Sequence, residues 1–286
     1  MTTTQHLQRP FGRLGYAVDG PADGPLVLLV PGMGDLRRTW DAVARDLVAH
    51  GCRVAALDLR GHGESDPDRD PAGHGVAPVA EDVLALARHL GATPDHPVVL
   101  VGSSVGAGGV VRAAADAPDL VAGVVALAYA ANDGAPTRTV RLQVRTLLSR
   151  PWGPRAWAWF YRSLVKAPVD VAAHTAALRA DLARPGHLAQ LRTLALRLVE
   201  GREDTRLAAV RAPVVAILGD ADPESKHPAA ELDRMVATAP DVTPVLLPGV
   251  GHYPQHEATA VVVERIAALV DRVLPAASAR PAGPRA

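Results

Sequence analysis

The sequence predicts an α/β fold: a mostly parallel sheet flanked by helices and interrupted by one helical insertion. Three observations carry this. Short, continuous apolar runs recur, as suits strands buried on both faces. Helix-period segments alternate with them, as βαβ units require. Between residues 135 and 206 the alternation stops, and only helical periodicity remains.

In order along the chain, Leu26–Val30 is an apolar run ending at Pro31-Gly32 and reads as a buried strand. Asp35 is placed as the cap of a helix reaching about His50, with Trp40, Val43, Leu47 and Val48 on one stripe. Arg53–Leu57 is the next strand. Residues 80–90 form a helix carrying Val83, Leu84, Leu86 and Leu90, and residues 97–101 a third strand. Residues 105–117, rich in Ala and Gly, suit a closely packed helix, and residues 121–128 a fourth strand. After the insertion come a strand at 214–218, a helix at 229–237, a strand at 245–247 and a helix at 258–273. The expected division is a sheet domain from residues 1–134 and 207–273, a helical cap at 135–206, and a small, Pro-rich, disordered tail at 274–286.

Composition limits the functions open to the chain. Its 286 residues, 48% of them apolar, can bury a sizeable core. Thirty basic and thirty acidic residues cancel, so neither nucleic acid nor an anionic membrane is a default partner. The single cysteine, Cys52, excludes an intrachain disulfide and a Cys-rich metal site, and reads as a small hydrophobe at a strand edge. No apolar run reaches the ~18 residues of a membrane span. The first 13 residues lack the apolar core of a secretory signal, so a cytoplasmic location is expected. Oligomeric state is not legible.

The strongest chemical signal is Gly102-Ser103-Ser104-Val105-Gly106, a G-x-S-x-G between a strand and a helix. A nucleophile on so sharp a turn sits in strained backbone, and its flanks need little bulk. Ser104 is therefore the candidate nucleophile. A serine hydroxyl needs a base. His252, in the Gly-rich loop Pro248-Gly249-Val250-Gly251-His252-Tyr253-Pro254 after the last strand, is the candidate, with His62 as its rival. His227 and His256, ahead of helices, read as surface residues. The base needs a carboxylate to fix its tautomer. Asp222 in Gly219-Asp220-Ala221-Asp222-Pro223 ranks first, then Asp133, then Asp220, which could instead bond backbone in the turn. Ser, Asp, His is the chain order expected of such an elbow. Oxyanion donors are expected from the N–H of Val105 and of Met33, in Pro31-Gly32-Met33-Gly34.

Taken together, these motifs resemble the α/β-hydrolase family over about residues 11 to 273. The segment Asp58-Leu59-Arg60-Gly61-His62-Gly63-Glu64-Ser65 resembles that family's D-x-R-G-x-G-x-S signature, which implies a structural turn and counts against His62 as base. The resemblance implies eight strands and a cap inserted after the sixth. Many relatives carry His-Gly where this chain has Pro31-Gly32, which implies an oxyanion loop held in another way. Ser104 replaces the Asp that relatives use on epoxides and halides.

The expected chemistry is two-step acyl transfer on a small, mainly apolar ester-like substrate, without metal or organic cofactor. The same residues would serve perhydrolysis, amide or C–C cleavage, or transfer to an alcohol; a slow-turnover sensor of the same fold is the alternative of another class. In the insertion, Trp152, Trp157, Trp159, Phe160 and Tyr161 make up half the chain's aromatics. Trp157 and Tyr161 share a helical face, as do Trp152, Trp159 and Arg155. They read chiefly as glue between insertion and sheet, with Trp152, Trp157 and Tyr161 the candidates for lining a substrate pocket.

Overall fold

A computed structural model describes residues 3–129, 138–200 and 204–274. Eight strands, β1 (Gln5–Arg9), β2 (Gly12–Asp19), β3 (Leu26–Val30), β4 (Arg53–Leu57), β5 (Val98–Ser103), β6 (Val121–Leu127), β7 (Val214–Gly219) and β8 (Val242–Leu247), form one sheet in the order β1-β2-β4-β3-β5-β6-β7-β8. β2 runs antiparallel to both its neighbours, and every pairing from β4 to β8 is parallel. This is the mostly parallel sheet that the sequence predicts, with the eight strands that the family resemblance implies.

Alternation along the strands divides the core between two faces. Leu28, Val30, Leu57, Leu100 and Ala216 pack on one side with α2 (Val76–His89) and α3 (Val105–Asp116). Val27, Leu29, Val54, Val101 and Ile217 pack on the other with α1 (Asp41–Ala49) and α10 (Thr259–Val273). Both faces are covered, so β3, β5 and β7 are buried at every position. That is why their sequences read as unbroken apolar runs. Cys52 is buried with the α1 side, and burial pushes its thiol up to about 11, so it acts as a small apolar side chain.

Between β6 and β7 lie α4 (Arg138–Leu147), α5 (Gly153–Leu164), α6 (Ala172–Ala183) and α7 (His187–Val199). Among the described residues 138–200 there is no strand. Pro151, Pro168 and Pro185 fall in the connections between these helices, where the missing N–H costs nothing. The remaining helices are α8 (Pro228–Thr238) and the short α9 (Pro254–Glu257). The tail expected to be disordered begins at 274, and residues 275–286 lie outside the described residues.

Five elements differ from the sequence expectation. Asp35 caps no helix; it is buried, and a 3-10 turn at Arg37–Trp40 precedes α1. α2 starts four residues early, after Gly75 at φ +116, because Pro78 sits in its first turn, where proline is tolerated. β8 starts at Val242 and includes Pro244; as an edge strand it is half exposed and spares a donor. β1 is the largely polar edge strand, and β2, though buried over residues 14–17, is broken by Gly15 and flanked by Arg13 and Asp19, so neither shows a long apolar run.

The turn from β5 to α3 depends on two glycines. A Cβ on Gly102 would lie 2.4 Å from the Gly106 carbonyl oxygen, and one on Gly106 2.4 Å from that of Pro31. Both obstacles are backbone and cannot swing aside. Gly106→Ala should therefore lower unfolding free energy by about 2 kcal/mol or more in urea titration, the scale of an overpacked core site. A loss within about 0.5 kcal/mol, typical of a neutral surface change, would show that the backbones have room to part.

Candidate active site

Ser104 is the only residue between β5 and α3, and it turns the chain with φ 54 and ψ −121. For a residue with a Cβ, that conformation costs on the order of 1–3 kcal/mol and must be held by its surroundings. Its N–H donates to the Leu127 carbonyl on β6 at 2.9 Å, and its carbonyl accepts from Gly108 at 3.1 Å. Its Oγ forms no hydrogen bond among the described residues and is left open. The loop after β3 passes directly over it: a Cβ on Gly32 would sit 3.2 Å from Ser104 Cβ and 3.9 Å from Oγ.

Asp222 follows β7 and His252 follows β8, at the same carboxyl edge as Ser104. His252 Nδ1 donates to Asp222 Oδ2 at 2.8 Å, and both side chains are buried. Burial alone would lower the His252 pKa, but the hydrogen bond and charge of Asp222 outweigh it and raise the imidazole above its ordinary value. Asp222 Oδ1 accepts from the Glu224 N–H, which fixes the carboxylate. Asp220 is turned away, accepting the Gly249 N–H at 2.7 Å. Asp133 lies outside the described residues.

The His252 loop is clamped from two sides. His252 N–H donates to the Leu164 carbonyl at the end of α5. The Glu257 carboxylate accepts from the N–H groups of Gly251, Tyr253, Lys166 and Ala167 at 2.7–3.1 Å. One side chain thus ties the loop after β8 to the loop after α5.

The loop after β3 is held without help from Pro31. Gly34 N–H donates to His62 Nε2 at 3.1 Å, and His62 Nδ1 donates to the Arg60 carbonyl at 2.9 Å. Burial lowers the His62 pKa, and a neutral ring is what this accepting Nε2 requires. Both nitrogens serve the backbone, so His62 is committed to the turn. On the other side, Trp157 Nε1 donates to the Gly34 carbonyl at 2.8 Å. Gly34 is at φ +66, and a Cβ there would overlap the Trp157 indole. The N–H groups of Met33 and Val105 have no acceptor among the described residues.

Next to Gly34 the buried Asp35 carboxylate gathers the insertion. It bonds His174 Nε2 at 2.6 Å, Tyr161 OH at 3.2 Å and its neighbour's N–H at Leu36. Burial would raise the Asp35 pKa, yet His174 holds it below the ordinary carboxylate value. Tyr161 also stacks on Tyr253, ring centres 3.9 Å apart. His256 is half-buried where the sequence suggests a surface position: its ring bonds Thr39 and Tyr161, and burial lowers its pKa to about 4. It reads as exposed in sequence because α9 lasts only one turn and packs inward. Trp157 and Tyr161 thus sit where insertion meets sheet, whereas Trp152 faces solvent and its indole bonds the Thr146 carbonyl. Asp35, His174 and Glu257 carry no motif, and only the folded chain reveals their partners.

The model of the Alpha/beta hydrolase family matches residues 27–265. This chain belongs to the α/β-hydrolase family. Among relatives of this α/β hydrolase, a Variovorax paradoxus (strain S110) protein named "Putative carbamate hydrolase RutD" is 32% identical over 247 residues, 84% of this chain and 89% of its own. The 2-(acetamidomethylene)succinate hydrolase of Mesorhizobium japonicum is 27% identical over 272 residues, 91% of this chain and 93% of its own. The solved enol-lactonase from Burkholderia xenovorans LB400 shares the fold, with TM-score 0.76 and 20% identity over 93% of this chain and 99% of that one.

Among the described residues, this α/β hydrolase has no group of three or more His, Cys, Asp or Glu placed to hold a metal ion. No described helix is long and apolar enough to cross a membrane. The opposed effects on His252 give a direct test. By NMR its ring should titrate above the ordinary ~6.5. In Asp222→Asn the raising charge is gone and burial remains, so the midpoint should fall below that value. An unmoved midpoint would mean another group sets it.

Proposed function

We propose that this α/β hydrolase is a serine hydrolase that cleaves small, mainly apolar carboxylic esters or related acyl compounds through an acyl-enzyme on Ser104. One observation carries the reading: the bonded His252–Asp222 pair stands at the same sheet edge as the strained, open Ser104 hydroxyl. In the first step His252 Nε2 takes the Ser104 proton as Oγ attacks the substrate carbonyl. That contact forms as substrate binds, since catalytic hydrogen bonds often tighten only on passing from free to loaded sites. The N–H groups of Met33 and Val105 receive the developing oxyanion. His252 then protonates the leaving group, and in the second step it activates water to release the acid. Asp222 stabilises the imidazolium in both.

Helices α4 to α7 act as a cap over this edge. The buried positions of Trp157 and Tyr161 favour anchoring that cap to the loop after β3 over contact with substrate. A second reading has the same acyl-enzyme formed from a carbamate or amide. The names of two relatives that match over most of this chain favour it, "Putative carbamate hydrolase RutD" and 2-(acetamidomethylene)succinate hydrolase.

The test is turnover across p-nitrophenyl esters, lactones, carbamates and N-acyl compounds. Wild type should exceed ~1 s⁻¹ on its best substrate, the low end of typical enzymes. Ser104→Ala should lose a factor on the order of 10⁴ or more in kcat. Turnover retained in Ser104→Ala would sink the acyl-enzyme, and uniformly slow wild-type turnover would favour a sensor.

A further inference from the structure

The balanced charge of the whole chain hides a separation within it. Residues 138–200 hold eleven of the thirty Lys and Arg but three of the thirty Asp and Glu, an excess of eight positive charges. The rest of the chain carries the matching negative excess. A net charge of zero is thus a dipole, with α4 to α7 as its positive end.

Exposed apolar side chains collect at the same end. Among the described residues, the large hydrophobics left in water include Val140, Leu142, Leu147, Trp152 and Trp159 of the insertion, against Val236 and Leu246 elsewhere. The outer side of α5 is the focus. Trp152, Arg155, Trp159 and Arg162 follow at spacings of three, four and three, which aligns them on one stripe. Trp159 is 69% exposed and Trp152 49%. Neither Arg155 nor Arg162 has a carboxylate partner among the described residues. Beside the stripe, a groove of about 440 Å³ runs between α5 and α6. Arg150, Arg155 and Arg179 line it together with Pro151, Pro154 and Ala180.

We propose that the outer stripe of α5, with the groove beside it, docks this protein on an anionic phospholipid surface. Indoles favour the headgroup level of a bilayer, where an apolar ring and a polar N–H are both accommodated. Arginines between them lay their stems along apolar surface and put their guanidinium groups on lipid phosphates. Each basic residue near such a surface contributes about 1 kcal/mol. The negative remainder of the chain is repelled by the same lipids, which selects one orientation with the insertion down. The groove, apolar-walled and lined by three arginines, suits a phosphate headgroup and its glycerol. Docking on the acidic part of a second copy would be a head-to-tail contact, which does not close into a dimer. Single-stranded nucleic acid, which also pairs aromatics with arginine, would meet a repelling remainder on all other sides.

The experiment is co-sedimentation of the full chain with phosphatidylcholine vesicles, with and without phosphatidylglycerol, over a salt series. Binding is expected with phosphatidylglycerol only, released as salt rises, with a blue shift in tryptophan emission. Arg155→Glu with Arg162→Glu should weaken binding at least ~10-fold, a cautious reading of about 1 kcal/mol per charge. Trp159→Ala should remove most of the blue shift. Both variants should keep the wild-type circular dichroism and turnover of a soluble ester. Failure to bind phosphatidylglycerol vesicles at low salt overturns the proposal, as does equal binding to phosphatidylcholine or undiminished binding by the double variant. So does tighter binding of an oligonucleotide, or light scattering that shows self-association abolished by Arg155→Glu and Arg162→Glu.

Discussion

Three backbone segments meet at Ser104 more closely than side chains allow, and the rest of this edge is arranged around that contact. The end of β5, the first turn of α3 and the loop after β3 approach through Gly102, Gly106 and Gly32. A Cβ on either of the first two would overlap a carbonyl oxygen, and one on Gly32 would press against Ser104. The strain stored at Ser104 is sustained by ladders on both sides: its own N–H bonds β6, and β5 is buried at every position.

Around this fixed point the loops are held by buried or half-buried polar side chains that each bond several groups. Glu257 gathers four N–H groups, His62 joins the loop after β3 to the turn after β4, and Asp35 joins the same loop to α5 and α6. A buried carboxylate is costly unless its lone pairs are used, and these are used. The arrangement fixes the position of these loops, to which Met33, Leu36, Val250 and Tyr253 add apolar packing.

The central strands were legible because burial on both faces leaves an unbroken apolar signature, as in Leu26–Val30. The G-x-S-x-G turn was legible because close backbone approach leaves glycines in the sequence. Edge strands were less so: half-exposed β8 was legible only at 245–247, past Pro244, and largely polar β1 not at all. Asp222 could be ranked above Asp220 from its place further into the loop, and the structure bonds the first to His252 and the second to Gly249. Asp35 was misjudged as a helix cap because a short polar side chain before a helix usually is one. Its true partners, His174 and Tyr161, lie 139 and 126 residues away. No local rule reaches so far.

Helix α5 touches both loops that flank Ser104. Trp157 grips the Gly34 carbonyl, Tyr161 reaches Asp35, and the Leu164 carbonyl receives the His252 N–H. Swinging α5 outward would break all three bonds and unstack Tyr161 from Tyr253. It is therefore a doorpost and not a door. Any widening of the approach to Ser104 leaves this one helix standing.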